Sequence, residues 1–287
     1  MDAQLTAAFE AQRPRLMRLA YRMPGSVTEA EDAVQDAWLR WTKAGAAVSD
    51  PAAWLVRVTT RLAIDRLRAA KAERDAYRGP WLPEPLIEPI TEDPLERAED
   101  VSVAFLLALE RLSPLERAVF LLHDVFDEDY AAVAETLDRT EPAVRQLASR
   151  AREHVRDARP RFSVSQEEAQ RLATAFVAAS ASGDMVGLAN LLAEDAILVS
   201  DGGGKRKAAL RVMVGREDVI GLFRGLSWRG GALPIHSLEL AWINGAPGVV
   251  MQLEDGPATL AFEPDADGRI AAIYMVRNPD KLAHLAP

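Results

Sequence analysis

The sequence contains no cysteine, so neither a disulfide framework nor a thiolate metal site is available to it. Its four histidines, His123, His154, His236 and His284, are scattered, and no H-x-x-x-H or carboxylate–histidine spacing joins them into a metal site. No apolar run approaches the roughly 18 residues that cross a bilayer. The opening residues, MDAQLTAAFEAQRPR, have neither the basic start nor the apolar stretch of a secretory leader, so a cytoplasmic protein is expected. Internal repeats and low-complexity tracts are absent. The stretch DGGGK (Asp201 to Lys205) lacks the G-x-x-x-x-G-K-[ST] spacing of a phosphate loop, and Arg206 follows the lysine. No cofactor is expected.

What is present is enough chain, 287 residues, for about two domains, and 49% hydrophobic residues to fill their cores. The net charge of −9 looks wrong for a nucleic-acid binder, but its distribution matters more than its sum. Residues 1–80 carry a net +3, 81–110 a net −7, 111–138 a net −5, 139–161 a net +4, and the remainder −4. Two basic segments separated by acidic ones suit a chain that touches phosphates in two places and avoids them elsewhere.

Apolar periodicity predicts helices through the first 160 residues. Leu5, Phe9, Leu16, Leu19 and Ala20 mark one from Ala3 to Met23, with a kink or a start at Pro14. Thr28 and Glu31 fit a capping box for a second helix, whose apolar side holds Ala30, Val34, Ala37, Trp38 and Trp41. Asp50-Pro51 opens a third, lined by Trp54, Leu55, Val58, Leu62 and Leu67. Residues 77–100 hold five prolines and read as an extended linker, yet Trp81, Leu82, Leu86, Ile87 and Ile90 would be poorly placed in water. Helices resume near Ala98, and Ser113-Pro114-Leu115-Glu116 joins a capping box to a proline at the first helical position. Tyr130 to Leu137, a turn at Asp138-Arg139, and Glu141 to Arg156 behind Thr140 have the layout of a helix-turn-helix. Asp138 stands where glycine is favoured, though aspartate tolerates left-handed backbone better than most residues. A further helix runs from Ser165 to about Ser180. Beyond Ala196, AILVS, LRVMV, IHSLELAWI, GVVMQLE, TLAFEP and RIAAIYMV predict the strands of an antiparallel sheet, and so an α+β domain.

In the second helix of the helix-turn-helix, Val144, Leu147, Ala148, Ala151 and Val155 share one face as core, while Arg145, Gln146, Ser149, Arg150 and Arg152 project elsewhere. Arginine pairs bidentately with guanine and glutamine with adenine in the major groove, and further arginines neutralise phosphates. Arg57, Arg61, Arg66, Arg68 and Lys71 recur at intervals of two to five residues, roughly a helical spacing, and can form a basic stripe against DNA. A solvated charged face is the alternative for both helices.

Taken together, these residues resemble a known family. YRMPGSVTEAEDAVQDAWLRW and DPAAWLVRVTTRLAIDRLRAA resemble region 2 of extracytoplasmic-function sigma factors. RLSPLERAVFLLHDVFDEDYAAVAETLDRTEPAVRQLASRAR resembles region 4, and both occur in the family's order. The resemblance implies that Asp32, Gln35, Asp36, Trp38 and Arg40 dock core RNA polymerase. It implies that Arg57, Arg61, Asp65 and Arg66 face the melted −10 element of promoter DNA, and that Arg145, Gln146, Ser149 and Arg150 meet the −35 element. Core packing is the other reading of Trp38 and Trp41, and the preferred one for Trp41.

Three more motifs resemble, in order, those of the sigma-factor subgroup fused to a SnoaL-like domain. They are WLPEP (Trp81, Leu82, Pro83, Glu84, Pro85), DGGGK (Asp201, Gly202, Gly203, Gly204, Lys205) and NPDKL (Asn278, Pro279, Asp280, Lys281, Leu282). After DGGGK, KRKAALRVMVG departs from the proline-containing stretch of that subgroup. The implied fold is multidomain: all-α sigma domains at 1–76 and 98–160, a Pro-rich linker at 77–97, and an α+β NTF2/SnoaL-like cone at 163–287. Core RNA polymerase and promoter DNA are the implied partners, with a small-molecule ligand for the cone's pocket and no membrane. The trio is expected to form an interdomain contact through which the last domain biases the sigma domains between compact and polymerase-competent arrangements.

SnoaL relatives include cyclases and isomerases, and Asp201, Asp218 and His236 are the candidate acid–base groups. Such chemistry needs two groups converging in one pocket, and nothing in the spacing brings two together, so a regulator rather than an enzyme is expected. Two other readings stay open: a helix-turn-helix repressor with a ligand-sensing domain, which leaves the helix over 28–43 unexplained, and a fused enzyme.

Overall fold

The computed structural model describes residues 3–74, 76–89, 102–156, 166–228 and 235–285. Its helices are α1 (Ala3–Arg22), α2 (Val27–Ala44), α3 (Pro51–Arg74), α4 (Val103–Leu109), α5 (Pro114–Phe120), α6 (Tyr130–Leu137), α7 (Glu141–Val155), α8 (Gln166–Ser182), α9 (Met185–Leu191) and α10 (Arg216–Trp228). Its strands are β1 (Ile87–Pro89), β2 (Leu192–Asp201), β3 (Met213–Val214), β4 (Ile235–Ile243), β5 (Ala246–Leu253), β6 (Gly256–Pro264) and β7 (Ile270–Val276).

Short polar residues start the helices by accepting from amides that have no partner inside the helix. Ser26 accepts from Glu29 N, Asp50 from Ala53 N and Asp129 from Ala132 N. At Ser113 the capping box is complete: its hydroxyl accepts from Glu116 N, and the Glu116 carboxylate accepts from Ser113 N at 2.9 Å. Burial works against the Glu116 charge, but the two Ser113 donors hold its carboxyl below the usual carboxylate range. The second helix thus begins two residues earlier than Thr28 suggests, because Ser26 already has the extended backbone of a cap. α1 runs through Pro14 without a break. Behind α5 the helix widens into a π turn over Leu121–Val125, closed by a bond from Phe126 N to Leu121 O.

The chain divides into two compact units, Met1–Ala76 with Ala104–Arg159, and Tyr77–Val103 with Pro160–Pro287. In the first, α1, α2 and α3 pack around Leu16, Leu19, Val34, Trp41, Leu55 and Ile64. Arginines bind this three-helix group to α4–α7. Arg117, only 2% exposed, donates to Met23 O, and Arg74 donates to Pro24 O and to Glu110. Arg15 pairs with Glu128 at 2.5 Å.

In the second unit a seven-stranded sheet has the order β1-β4-β5-β6-β7-β2-β3. It is mixed rather than antiparallel as the strand pattern predicts, since β2 lies parallel to β7. The long excursion through β3–β6 between those two strands is what allows the parallel pairing. Phe176 of α8, Phe223 of α10 and Phe262 of β6 fill the space between helices and sheet. Neither α9 nor α10 was visible in the sequence pattern, and of LRVMV only the last two residues are strand. The linker contributes β1, which pairs with Ala241–Ile243 of β4. Ile90, the expected resumption of helices near Ala98 and the expected helix start at Ser165 lie outside the described residues.

Candidate functional site

α2 buries Ala30, Ala33, Val34, Ala37 and Trp41 and turns the opposite face outward. Asp32, Gln35 and Arg40 are exposed there, with Asp36 and Trp38 half-buried. The Trp38 ring leans on Phe9 of α1 at 4.8 Å, and Trp41 is core, its indole N–H donating to Leu5 O at 2.9 Å. Leu39 is 51% exposed on the same outward side. Sequence reasoning passed it over, although an apolar residue out of step with the buried period was the available signal.

The residues expected at the −10 element do not share one surface. Arg66 of α3 reaches α2, bonding Asp36 at 2.8 Å and Glu29 at 2.9 Å, with Asp32 at 3.5 Å. Partial burial opposes its charge, but bonds to Glu29 and Asp36 outweigh that and raise the guanidinium pKa. The structure therefore brings Arg66 together with two of the residues expected at polymerase. Arg57 pairs with Glu135 of α6, and Arg61 Nε donates to Thr136 O at 3.1 Å. Asp65 is exposed and paired with Arg68, one helical turn on, at 3.1 Å.

α6 and α7 form the helix-turn-helix. Asp138 ends α6 in left-handed backbone, φ 54°, and Thr140 holds the cap position of α7 without a side-chain bond. Val144, Ala148, Ala151 and Val155 are buried and Leu147 partly so, while Gln146, Ser149 and Arg150 are exposed. Arg145 lies against its own protein, its Nε 3.1 Å from Glu141 and its guanidinium 4.2 Å from the centre of the Tyr130 ring.

In the second unit the three motifs singled out in sequence meet at one carboxylate. Asp201, fully buried at the end of β2, accepts from Tyr77 OH at 2.5 Å, Leu82 N at 2.9 Å, Gly203 N at 2.9 Å and Lys281 Nζ at 2.7 Å. Lys281 also donates to Leu82 O and lies 4.3 Å from the centre of the Trp81 ring. Asn278 donates to Tyr77 OH at 2.8 Å and accepts from Asp280 N, which caps the short turn Pro279–Lys281. Lys205 pairs with Asp280 at 2.6 Å. Gly203 and Gly204 have positive φ, and a β-carbon on Gly203 would collide with the Asn278 side chain, so glycine is required there. Gly202 is buried, as are Leu82, Pro83, Glu84, Pro85 and Leu282. Leu86 exchanges bonds with Asn244 beside β1. Burial, then the Asp201 charge, pushes the Tyr77 phenol up. Sequence reasoning missed Tyr77 and Asn244: one precedes its motif by four residues, and the other is a left-handed turn residue, φ 52°, with no motif around it.

The acid–base candidates are each engaged apart. Asp201 is fully occupied by the linker and Lys281; Asp218 is paired with Arg211 at 2.6 Å, which lowers its carboxyl pKa; His236 is exposed on β4. Among the described residues, no group of three or more His, Cys, Asp or Glu is placed to hold a metal ion, and no helix is long and apolar enough to cross a membrane.

Comparison with known proteins gives the same two helical segments. Residues 8–73 match the family model described as Sigma-70 region 2, and residues 102–155 that described as Sigma-70, region 4. The chain is 39% identical over 285 residues to the ECF RNA polymerase sigma factor SigJ of Mycobacterium tuberculosis, covering 95% of this chain and 91% of that protein. It is 34% identical to the probable ECF sigma factor SigI of the same organism, covering 97% and 94%. The crystal structure of M. tuberculosis SigJ superposes with a TM-score of 0.77 at 36% identity, covering 97% of this chain and 98% of that one.

Proposed function

The chain belongs to the extracytoplasmic-function RNA polymerase sigma factors, and from that membership we propose how its parts act. Residues 1–76 and 98–160 serve as the polymerase/−10 and −35 domains, and 163–287 as a regulatory domain. α2 docks core polymerase through Asp32, Gln35, Asp36, Trp38 and Arg40, joined by Leu39. α3 meets the −10 element through Arg57, Arg61, Asp65 and Arg66, the last of them held in the free chain by Glu29 and Asp36 of α2. α7 offers Arg145, Gln146, Ser149 and Arg150 to the −35 element. The chain acts by positioning: polymerase holds both contacts at a fixed spacing, and a promoter must match both.

The described arrangement is the closed one on this reading. Arg57 and Arg61 are engaged by Glu135 and Thr136, and DNA cannot take those guanidinium groups while α6 holds them. The observation that carries the regulatory part is the buried Asp201 node. It fastens the linker that covalently joins the two helical segments, so the C-terminal domain sets how freely they part. The domain acts by this grip rather than by chemistry, its candidate acids being committed to other partners. A small ligand would find its seat in the groove of about 530 Å³ between α8 and β4, lined by Gln170, Thr174 and Leu240 among others. The working compartment on this reading is the cytoplasm, where polymerase and promoter are.

The test is transcription in vitro with purified core polymerase and the full-length chain on a promoter library. Specific start sites requiring both elements are expected. Tight duplex binding by the chain alone, with no start sites, would replace this reading with that of a repressor. Turnover of a small substrate by the chain would restore the enzyme reading for its last domain.

A further inference from the structure

Tyr130 is the first residue of α6, yet most of its contacts concern α7. Its ring stacks on His123 with centroids 3.8 Å apart and planes inclined by 30°. The Arg145 guanidinium lies 4.2 Å from the same centroid. Two groups that close to one ring centre must occupy opposite faces, so the ring is a spacer between the π turn and α7. Its hydroxyl is 3.1 Å from Arg152 Nη2, and Arg152 Nε is 2.6 Å from Asp124. Asp124 and His123 are neighbours in the π turn, whose extra residue per turn aims both at Tyr130 and its partners. His123 is fixed in turn through Nδ1, 2.7 Å from Glu128 O. Arg145 and Arg152 are seven residues apart, two turns of one helix face. One aromatic side chain thus holds two arginines of α7 by separable means, Arg145 by its face and Arg152 by its hydroxyl.

A long arginine side chain loses rotamer freedom when it docks on DNA, and one already stacked and bonded loses less. Glu141 takes Arg145 through both Nε and Nη2; among the described residues Nη1 has no hydrogen bond, and Arg145 keeps 57% of its side-chain surface exposed. The group is both ordered and accessible. We propose that Tyr130 is a positioning residue for promoter recognition: its ring presents Arg145 for base reading, and its hydroxyl sets Arg152 for a phosphate contact. This rests on the reading that α7 faces the −35 element.

The experiment is selection of a randomised −35 element by polymerase holoenzyme carrying the full-length chain, wild type or variant. Arg145→Ala first identifies the base pair at which that arginine discriminates. Tyr130→Leu, which removes the ring face, should lose roughly 3- to 30-fold of discrimination at that base pair and little elsewhere. In the double variant it should add no further loss of discrimination to Arg145→Ala, only the uniform few-fold weakening that follows from the missing hydroxyl. Tyr130→Phe keeps the face and loses the hydroxyl, so it should keep base preference while weakening all sequences alike by a few-fold. A purely structural role would lower binding evenly in both variants. The proposal is overturned if Tyr130→Leu keeps wild-type discrimination, if its loss is spread over the element, or if Tyr130→Phe itself shifts the preference. Should the leucine variant fail to fold, Tyr130→Met, which also removes the ring face, takes its place with the same expected and overturning results. If Arg145→Ala changes no position, the −35 reading of α7 has failed, and this inference falls with it.

Discussion

The two units are fastened internally in opposite ways. The three-helix group and α4–α7 meet through arginines reaching to acids and carbonyls, several of them part-exposed: Arg57 and Glu135 keep 30% and 69% of their side-chain surface. The linker meets its sheet through a carboxylate with no exposure, a lysine with 12%, and a strand pairing. Exposed ion pairs are worth little and are screened by salt. A buried pair whose remaining valences are satisfied is costly to break from one side. On the proposed reading, the part-exposed pairs around Arg57 and Glu135 are where the helical seam gives way first, with buried Arg117 as its anchor, and the linker hook is the joint that persists.

The sharpest way to break this contrast is Asp201→Ala. It strands a buried ammonium, a phenol and two amides, and should cost about 3–5 kcal/mol in denaturant unfolding of the second unit. Promoter output in vitro should change in parallel; wild-type output from a folded variant would sink the regulatory reading. Next is Tyr77→Phe, which removes one bond to Asp201 and one from Asn278, at a cost of about 1 kcal/mol. The same variant bears on alkaline stability. The folded phenol is raised above its ordinary value near 10, so the fold favours the protonated form. That contribution is complete below about pH 10 and is lost as pH climbs toward the raised value. Tyr77→Phe should flatten this alkaline fall, leaving the part due to Tyr274, whose phenol burial also raises.

Ser113→Ala tests the helical unit, where loss of the capping hydroxyl should cost about 1 kcal/mol by urea unfolding. The smallest expected effect is Glu135→Gln, below about 1 kcal/mol in stability. It should still loosen the seam, seen as faster proteolysis of the free chain, and the wild type should approach the variant as salt is raised. A seam indifferent to both salt and Glu135 would erase the contrast.

Much of this was legible in sequence, and what was not has physical reasons. Helix faces, the Ser113 cap, the Asp138 turn and the course of β4 follow from local periodicity and turn chemistry. The meeting of WLPEP, DGGGK and NPDKL followed from their resemblance to a family pattern, with the glycines and the Asn-Pro pair consistent with tight backbone approach. The contacts of Arg66 with α2 were not foreseen because a basic stripe along α3 says nothing about which helix its members face; Glu29, Asp32 and Asp36 at helical spacing on α2 were the complementary signal. α10 was hidden by Gly221 and Gly225, which weaken helix propensity. The π turn was hidden because side-chain period does not record one shifted backbone bond. The parallel β2–β7 pair depends on topology, to which strand patterns are blind.

The strand that the linker lends to the sheet carries one more implication. β1 covers the backbone groups of Ala241–Ile243 at the margin of β4. Were the hook to let go, those amides and carbonyls would face solvent as an open edge, a template for pairing with another chain. Apolar Ile235 and Leu240 already stand exposed along the same strand. The persistence of the hook therefore also keeps an aggregation-prone edge covered.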